Sequence, residues 1–415
     1  MSKNVLIIGG GIIGLSSAYY LQKQGHKVTV IDQSDLTSGA SHVNAGIITP
    51  SHIIALAAPG VINKGIKWMF SSTSPLSIKP TLNPDFLRWA WLFKKASTKQ
   101  KVEKSIPIIK NINVFSQELY EDIRNSSDFN FYYQKKGLMM FYQSDKMGEE
   151  EWIVGKKAIQ EGLLVEHLSA SEAQQLQPKA KLNIKGAVYY HSDSHTTPSD
   201  FMKEFTSYLL KNGVNIITNE KVISVNISGK KASSIQTKKQ QIHFDELVMA
   251  SGSWTPILAK QLGLRVPVVA GKGYRINVKK DTGITIPAIL TEAKVAVTPM
   301  DGFTRFAGNM ELAGINHKIN TKRVRAIAQS SERYYSDLKI DEEFINDADY
   351  GLRPCSPDGL PYIGKLSSFN NVTIATGHAM MGWSLGPATG KLVSELISEK
   401  KTSIDVSPFE VERYK

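Results

Sequence analysis

Apolar runs and helical periods alternate from the start of the chain. Val5 to Ile8 is a continuous apolar run of buried-strand length and leads into Gly9, Gly11 and Gly14. A helical pattern then runs from Ile12 to Lys23 and stops at Gly25, and a second apolar strand, Lys27 to Ile31, ends on Asp32. The next stretch, to about residue 51, is polar and glycine-containing and predicts an irregular connection rather than a helix. Residues 101 to 127 predict a helix with Ile106, Ile109, Phe115, Leu119 and Ile123 on its buried side. FYYQKKGLMMFYQS predicts a hairpin around Lys135 to Gly137, and residues 146 to 161 predict another helix.

Thr197-Pro198-Ser199-Asp200 opens a helix that Gly213 ends, with strands to follow at Val214 to Thr218 and Val222 to Ile227. Leu247 to Ala250 predicts a buried strand that runs into a turn at Gly252. Four further strands are expected at Gly273 to Val278, Ala288 to Leu290, Val295 to Pro299 and Thr304 to Gly308, and a charged helix at Lys322 to Asp337. The segment VTIATGHAMMGWSLGPATGKLVSELI repeats the opening order of strand, glycine turn and helix.

The opening glycines stand at G-x-G-x-x-G spacing between a strand and a helix, and Asp32 follows Gly14 by 18 positions (32 − 14). Each glycine has a separate duty. Gly9 permits the tight turn, Gly11 lets the backbone approach a pyrophosphate, and Gly14 lets helix and strand pack closely. The helix N-terminus offers free N–H groups to the phosphates, and Asp32 suits a ribose hydroxyl. The pattern predicts a dinucleotide and leaves NAD and FAD both open.

The 415 residues predict two or three compact domains. A single cysteine, Cys355, excludes an intrachain disulfide and a cysteine zinc cluster and favours a reducing compartment. Lys3 alone makes a poor basic leader, and glycines interrupt the first apolar run, so the expectation is a strand and helix rather than a signal peptide. No apolar run reaches spanning length. The net charge of +12 comes from scattered lysines, which argues for a solvated basic surface and against a nucleic-acid partner. Between Ile66 and Lys104, Trp68, Met69, Phe70, Phe86, Trp89, Trp91 and Phe93 interleave with basic residues, which suits either core helices or an anionic membrane surface.

After Asp32, the residues Ser41, Asn44 and Gly46 fit a Ser-x-x-Asn-x-Gly pattern, and Asp349 to Gly364 reads DYGLRPCSPDGLPYIG. On these motifs, and on the LAAPGVINKGIKWMFSSTSPLSIKP and FLRWAWLF segments, the chain resembles the glycine/D-amino-acid oxidase group of flavoproteins, the bacterial D-amino-acid dehydrogenases in particular. The resemblance spans nearly the full length and is loosest between residues 105 and 340. It implies an α/β protein with a Rossmann-like FAD-binding domain (1–47, 191–262 and 345–415) and a discontinuous α+β substrate domain on a mostly antiparallel sheet (48–190 and 263–344).

It further implies FAD contacts at Gly9, Gly11, Ile12, Ile13, Gly14, Asp32, Gln33, Ser41, Asn44, Ala45, Gly46, Val222, Ser251, Gly252, Trp254, Arg353, Gly377, His378, Met380, Met381, Gly382 and Trp383. Arg353 is the implied substrate carboxylate clamp, for which a planar guanidinium is well suited. Tyr274 in GKGYRI is the next substrate contact, with His52 and Tyr350 behind it, and His378 reads more readily as a structural hydrogen-bonding group than as a base.

The implied reaction is oxidative deamination of a small amino acid by hydride transfer from Cα to FAD N5, with quinone as acceptor and no strong side-chain base. Oxygen as acceptor, and a 2-hydroxy acid as substrate, stay open, as does the choice of enantiomer. In relatives that tether FAD covalently, the cysteine stands six positions before the proline, here Gly351 (357 − 6), so non-covalent FAD is expected. The implied location is cytoplasmic, with a peripheral contact on the inner membrane face as the more specific option.

Overall fold

The computed structural model describes residues 1–55, 57 and 74–414. The predicted βαβ unit forms with the strand Asn4–Ile8, the helix Ile12–Lys23 and the strand Lys27–Ile31. These strands lie in a six-stranded sheet whose order is Asn215–Ile217, Lys27–Ile31, Asn4–Ile8, Glu246–Met249, Val372–Thr376 and Tyr362–Lys365. All neighbours are parallel except the last pair. The three strands Asn4–Ile8, Glu246–Met249 and Val372–Thr376 are apolar and almost wholly buried, as a parallel sheet covered on both faces requires.

Helix Gly386–Ile397 lies against helix Ile12–Lys23, and two glycines let them approach. A Cβ at Gly386 would meet Ile12 Cγ1 at 2.5 Å, and one at Gly390 would meet the Ser16 carbonyl carbon at 2.3 Å. Helix Lys99–Asn125 packs on the same layer, with Ile109, Ile112, Leu119 and Ile123 buried.

The second large sheet has nine strands and is mostly antiparallel. Its order is Asp349–Cys355, Val269–Val278, Phe303–Leu312, Val295–Met300, Ala288–Leu290, Leu138–Tyr142, Gly186–Tyr190 and Val165–Ser169, with Leu76–Ile78 added parallel to Phe303–Leu312. One face is packed by the helices Thr321–Tyr334 and Glu342–Asn346. The other face meets the dinucleotide half. Asp349–Cys355 belongs to this sheet, although the resemblance grouped residues 345–355 with the cofactor half.

Two local expectations are overturned. Lys135 to Gly137 does not close a hairpin: Tyr133–Gln134 pairs with Ser194–Thr196 in a small sheet that also holds Ile47–Ile48, whereas Leu138–Tyr142 pairs with Gly186–Tyr190 and Ala288–Leu290. Better partners elsewhere in the fold claimed each strand. The polar connection after Asp32 contains one helical turn, Ala40–Val43, whose carbonyls at Ala40 and Ser41 are satisfied by the Asn44 amide.

Candidate cofactor and substrate site

The glycine turn is shaped as its spacing predicts. Gly9 sits at φ +113°, and a Cβ there would lie 2.4 Å from the Ala250 carbonyl oxygen. A Cβ at Gly14 would lie 1.8 Å from the Gly9 carbonyl oxygen. At Gly11, by contrast, only Ser41 Oγ comes within 4 Å, at 3.0 Å, so among the described residues one side of the turn is open. That cradle fits a diphosphate.

Asp32 braces the turn by accepting the Gly10 N–H at 2.6 Å, and its other oxygen accepts from the Ser34 N–H and hydroxyl at 2.7 Å each. Gln33 beside it is exposed. The Asn219 and Glu220 N–H groups bond to the Ser34 and Asp32 carbonyls, which draws the loop leading to buried Val222 alongside the acid. Ser41 Oγ accepts the Ile12 N–H at 2.9 Å, and Asn44 Oδ1 accepts the Gly46 N–H at 2.7 Å, with Ala45 and then Gly46 at φ +70° closing the loop. Ile13 lies in the first turn of the helix.

The other glycine turns follow the next two parallel strands, at the same end of the sheet as Gly9. Gly252 stands at φ +53°, followed by the turn Gly252–Trp254, and Ser253 Oγ reaches the Leu352 carbonyl at 3.1 Å. Ser251 Oγ is 3.1 Å from Thr255 Oγ1. Gly377 lies at φ +81°, and a Cβ there would lie 2.7 Å from the Tyr362 ring. His378 forms a bridge with Cys355 and its Nε2 is 2.9 Å from Thr389 Oγ1. Burial pushes its pKa down to about 3, so it stays neutral, and its Nδ1 has no partner among the described residues. Met381 and Trp383, expected at the cofactor, put their side chains into the core: Trp383 Nε1 donates to Thr196 Oγ1 at 3.0 Å, and Asn113 Nδ2 is 3.8 Å from Met381 Sδ. In this stretch only backbone, at Gly382 and its neighbours, is left to face a cofactor, and Met380 is half exposed.

Arg353 lies on Asp349–Cys355 opposite Gly271, and its guanidinium folds over Gly273, where a Cβ would come within 1.9 Å of Nη1. Glycine makes the room for it. Nη1 donates to the Asn309 carbonyl at 2.9 Å, and no carboxylate of the described residues lies within 4.0 Å. Asn309 is at φ +64°, in a bulge where Lys272 pairs with Glu311 and Tyr274 with Gly308. Burial lowers the Arg353 pKa, yet guanidinium stays charged at any working pH, so a desolvated cation without an acid is left in the crevice. That arrangement suits an incoming carboxylate.

The structure does not bring Tyr274 and Tyr350 to Arg353. They pair with each other across the two strands, and alternation puts them on the opposite face from Arg353, Gly351, Gly271 and Gly273. Tyr274 is fully buried, its hydroxyl donates to Glu311 at 3.2 Å, and burial followed by the Glu311 charge raises its pKa to about 12. Tyr350 Oη lies 2.6 Å from His317 Nδ1. His52 follows the short strand Ile47–Ile48, and burial lowers its pKa to about 4. Its Nδ1 is 3.4 Å from Ser51 Oγ, which donates to buried Asp193 at 2.5 Å. Burial lifts the Asp193 pKa to about 7, against lowering by its bonds from Ser51 and Ser192. Gly273, Asn309 and Asp193 were not among the sequence candidates; only Gly308-Asn309, a pair suited to positive φ, carried a local signal.

Cys355 is fully buried and burial raises its pKa to about 12. At Gly351, the tethering position in relatives with covalent FAD, a Cβ would lie 2.5 Å from Val43 Cγ2. The aromatic segment before Lys104 is split. Trp89 and Phe93 are core, with Trp89 Nε1 donating to the Cys355 carbonyl at 2.9 Å, whereas Trp91 is 53% exposed. Ile66 to Phe70, with Trp68 and Met69, lie outside the described residues. No helix of the described residues is long and apolar enough to cross a membrane, and no group of three or more metal-ligand side chains occurs among them.

A mostly parallel dinucleotide sheet facing a mostly antiparallel sheet, with three glycine turns at one end of the first and an arginine without an acid among the described residues on the second, is the arrangement of a dinucleotide-dependent oxidoreductase. The chain belongs to the FAD dependent oxidoreductase family, whose pattern matches residues 4–396. It is 32% identical over 422 residues to a D-amino acid dehydrogenase of Vibrio atlanticus (strain LGP32), covering 99% of both chains, and 28% identical over 400 residues to one of Helicobacter pylori, covering 95% of both. Among solved structures it is similar to glycine oxidase from Geobacillus kaustophilus (TM-score 0.76, 21% identity, 100% of this chain and 99% of that one). L-proline dehydrogenase from P. horikoshii is also similar (TM-score 0.71, 18% identity, 100% and 98%). At those identities the likeness is one of fold. FAD is the cofactor of this enzyme.

Proposed function

We propose that this chain is an FAD-dependent dehydrogenase that oxidatively deaminates a small amino acid, alanine- or proline-like and of D configuration, and passes the electrons to a quinone or similar acceptor. The observation that carries the reading is the Arg353 guanidinium, desolvated over Gly273 and without an acid among the described residues. The names of the full-length relatives support the amino acid and its configuration. FAD, when bound, supplies the hydride acceptor. Gly9, Gly11, Gly14, Asp32 and Ser41 would hold its ADP half, and the turns at Gly252 and Gly377–Gly382 would face the rest.

The chain's own part is positioning. Arg353 binds the carboxylate through two parallel N–H bonds and so fixes the Cα hydrogen's direction. His52 and His378 are neutral at pH 7, and Tyr274 stays protonated on the far face, so none of the three draws a proton from the amine strongly. The substrate therefore reacts as its neutral amine, which the low-dielectric crevice favours over the ammonium.

For the acceptor, Leu82, Leu87 and Trp91 are exposed beside Lys94, Lys95, Lys99, Lys101 and Lys104, and Lys95 Nζ sits 3.7 Å over the Trp91 ring. This patch suits an anionic membrane surface, where quinone resides. The test is anaerobic flavin bleaching across D- and L-amino acids, including proline and 4-hydroxyproline, in parent and Arg353→Lys protein. Bleaching by D-alanine or D-proline that weakens in Arg353→Lys, with slow reoxidation in air, is the expected result. Rapid reoxidation would make the enzyme an oxidase, and no bleaching by any amino acid would end the reading.

A further inference from the structure

Arg305 is an arginine that the proposed chemistry does not use. It stands on Phe303–Leu312 and is 3% exposed, deeper than Arg353. Nη1 donates to the His42 carbonyl at 2.8 Å and to the Asn44 carbonyl at 2.7 Å, while Nε donates to Asn277 Oδ1 at 2.9 Å. Among the described residues it has no carboxylate within 4.0 Å; Asp349 and Asp200 reach it only through space, and Arg275 opposes it. Opposite it in register is Thr298, whose buried hydroxyl has no partner among the described residues.

The two carbonyls flank Val43 at the end of the helical turn Ala40–Val43. Near the start of that turn, Ser41 Oγ takes the Ile12 N–H at the mouth of the glycine cradle. One guanidinium on the substrate sheet thus grips the far end of a short lever whose near end touches the diphosphate site.

We propose that Arg305 is a positioning residue for the cofactor, locking the Ser41–Gly46 loop to the substrate sheet and holding a buried positive charge that the FAD diphosphate compensates. Two physical points support it. Cations belong at the carbonyl end of a helical turn, and arginine's rigid planar head keeps Nη1 on both carbonyls while Nε is anchored on Asn277. A buried cation without a counter-ion is costly, so an anion arriving nearby gains what the apoprotein lacks.

The test uses the full chain stripped of FAD, and its main readout is the FAD dissociation constant from flavin fluorescence quenching on titration. Arg305→Met, which keeps the volume and removes the fork, is expected to raise that constant at least about tenfold, the loss of one to two hydrogen bonds to a charged donor. Arg305→Lys is expected to fall between Met and parent. The FAD-induced rise in melting temperature should shrink in Arg305→Met by more than the apoprotein's own melting temperature changes. At saturating FAD, the KM for the amino acid should stay within about threefold of parent, because Arg353 is untouched.

Should Arg305→Met fail to fold, Asn277→Leu, which frees the guanidinium from its side-chain anchor, carries the test alongside Arg305→Lys. FAD constants within about twofold of parent in both variants would overturn the proposal. So would an Arg305→Met protein that loses apoprotein stability while binding FAD as tightly as parent, since that would leave Arg305 a purely structural role. The FAD constants and melting temperatures do not depend on which amino acid is oxidised, so they test Arg305 separately from the proposed substrate.

Discussion

Replacing Gly273 by alanine tests the carboxylate clamp without touching the arginine. The new methyl would sit 1.9 Å from Arg353 Nη1, 2.3 Å from Nη2 and 2.4 Å from Cζ, far inside contact distance, so the guanidinium must swing away. The backbone itself accepts alanine, because Gly273 is not among the residues at positive φ and lies within a regular strand. What is lost is a bidentate bond between charged groups. At about 1.5–3 kcal/mol for a hydrogen bond to a charged group, the displacement costs roughly 10- to 150-fold in kcat/KM. Most of that loss should appear in KM if the carboxylate bond is equally strong before and during reaction, and in kcat if it also aims the Cα hydrogen.

The assay is anaerobic stopped-flow reduction of the flavin against amino-acid concentration, with FAD content measured on the same sample. Gly271→Ala is the control: it lies one pleat away on the same face, and its methyl would crowd Cys355 Sγ at 3.0 Å rather than the guanidinium. A Gly273→Ala enzyme with full FAD and unchanged kcat/KM would refute the clamp.

Two further outcomes are expected. Denaturing the holoenzyme in acid should leave all the yellow colour in the supernatant, because the Cys355 thiol is buried with its pKa pushed up to about 12, and Gly351 has no sulfur. Stability should fall as pH drops from about 6.5 to 4. His52, His195 and His378 stay neutral in the folded protein, with pKa values lowered by burial to about 4, 3 and 3, but charge when it unfolds, whereas Asp193, raised to about 7, is protonated in the fold and ionises on unfolding. Of these four groups, three take up a proton on unfolding and one releases it. The net uptake of about two gives a stability slope on the order of 2–3 kcal/mol per pH unit near pH 5, which denaturant melts in that range would measure. A melt that is flat or rises on acidification would contradict the burial of these histidines.

The first βαβ unit was fully legible because every signal in it is local: glycine geometry, an apolar run, a helical period and an acid at the strand end. Tyr274 shows where legibility stopped. Its strand is readable from GKGYRI, but its face is not, since that depends on register against Asp349–Cys355 and on the bulge opposite Lys272 and Tyr274. The strand itself starts at Val269 rather than Gly273, because glycines weaken strand propensity where the guanidinium needs space. Phe303–Leu312 likewise runs four residues past Gly308, across Asn309, whose positive φ the bulge imposes. The false hairpin at Lys135 to Gly137 had correct strands and the wrong partners. Pairing choices of this kind are made by residues some 50 to 150 positions away, and no local pattern records them.

The bridge between Cys355 and His378 bears on how substrate gets in. Beyond the chain itself, the Ala379 N–H bonds to the Pro354 carbonyl at 2.8 Å and Ser253 reaches Leu352, so the arginine's strand is stitched to two turns of the dinucleotide half. Such stitching opposes a clamshell: swinging the halves apart at the arginine would break the strand's bonds to both turns. On the proposed function, the arginine would therefore keep its place against the dinucleotide half while substrate enters and product leaves.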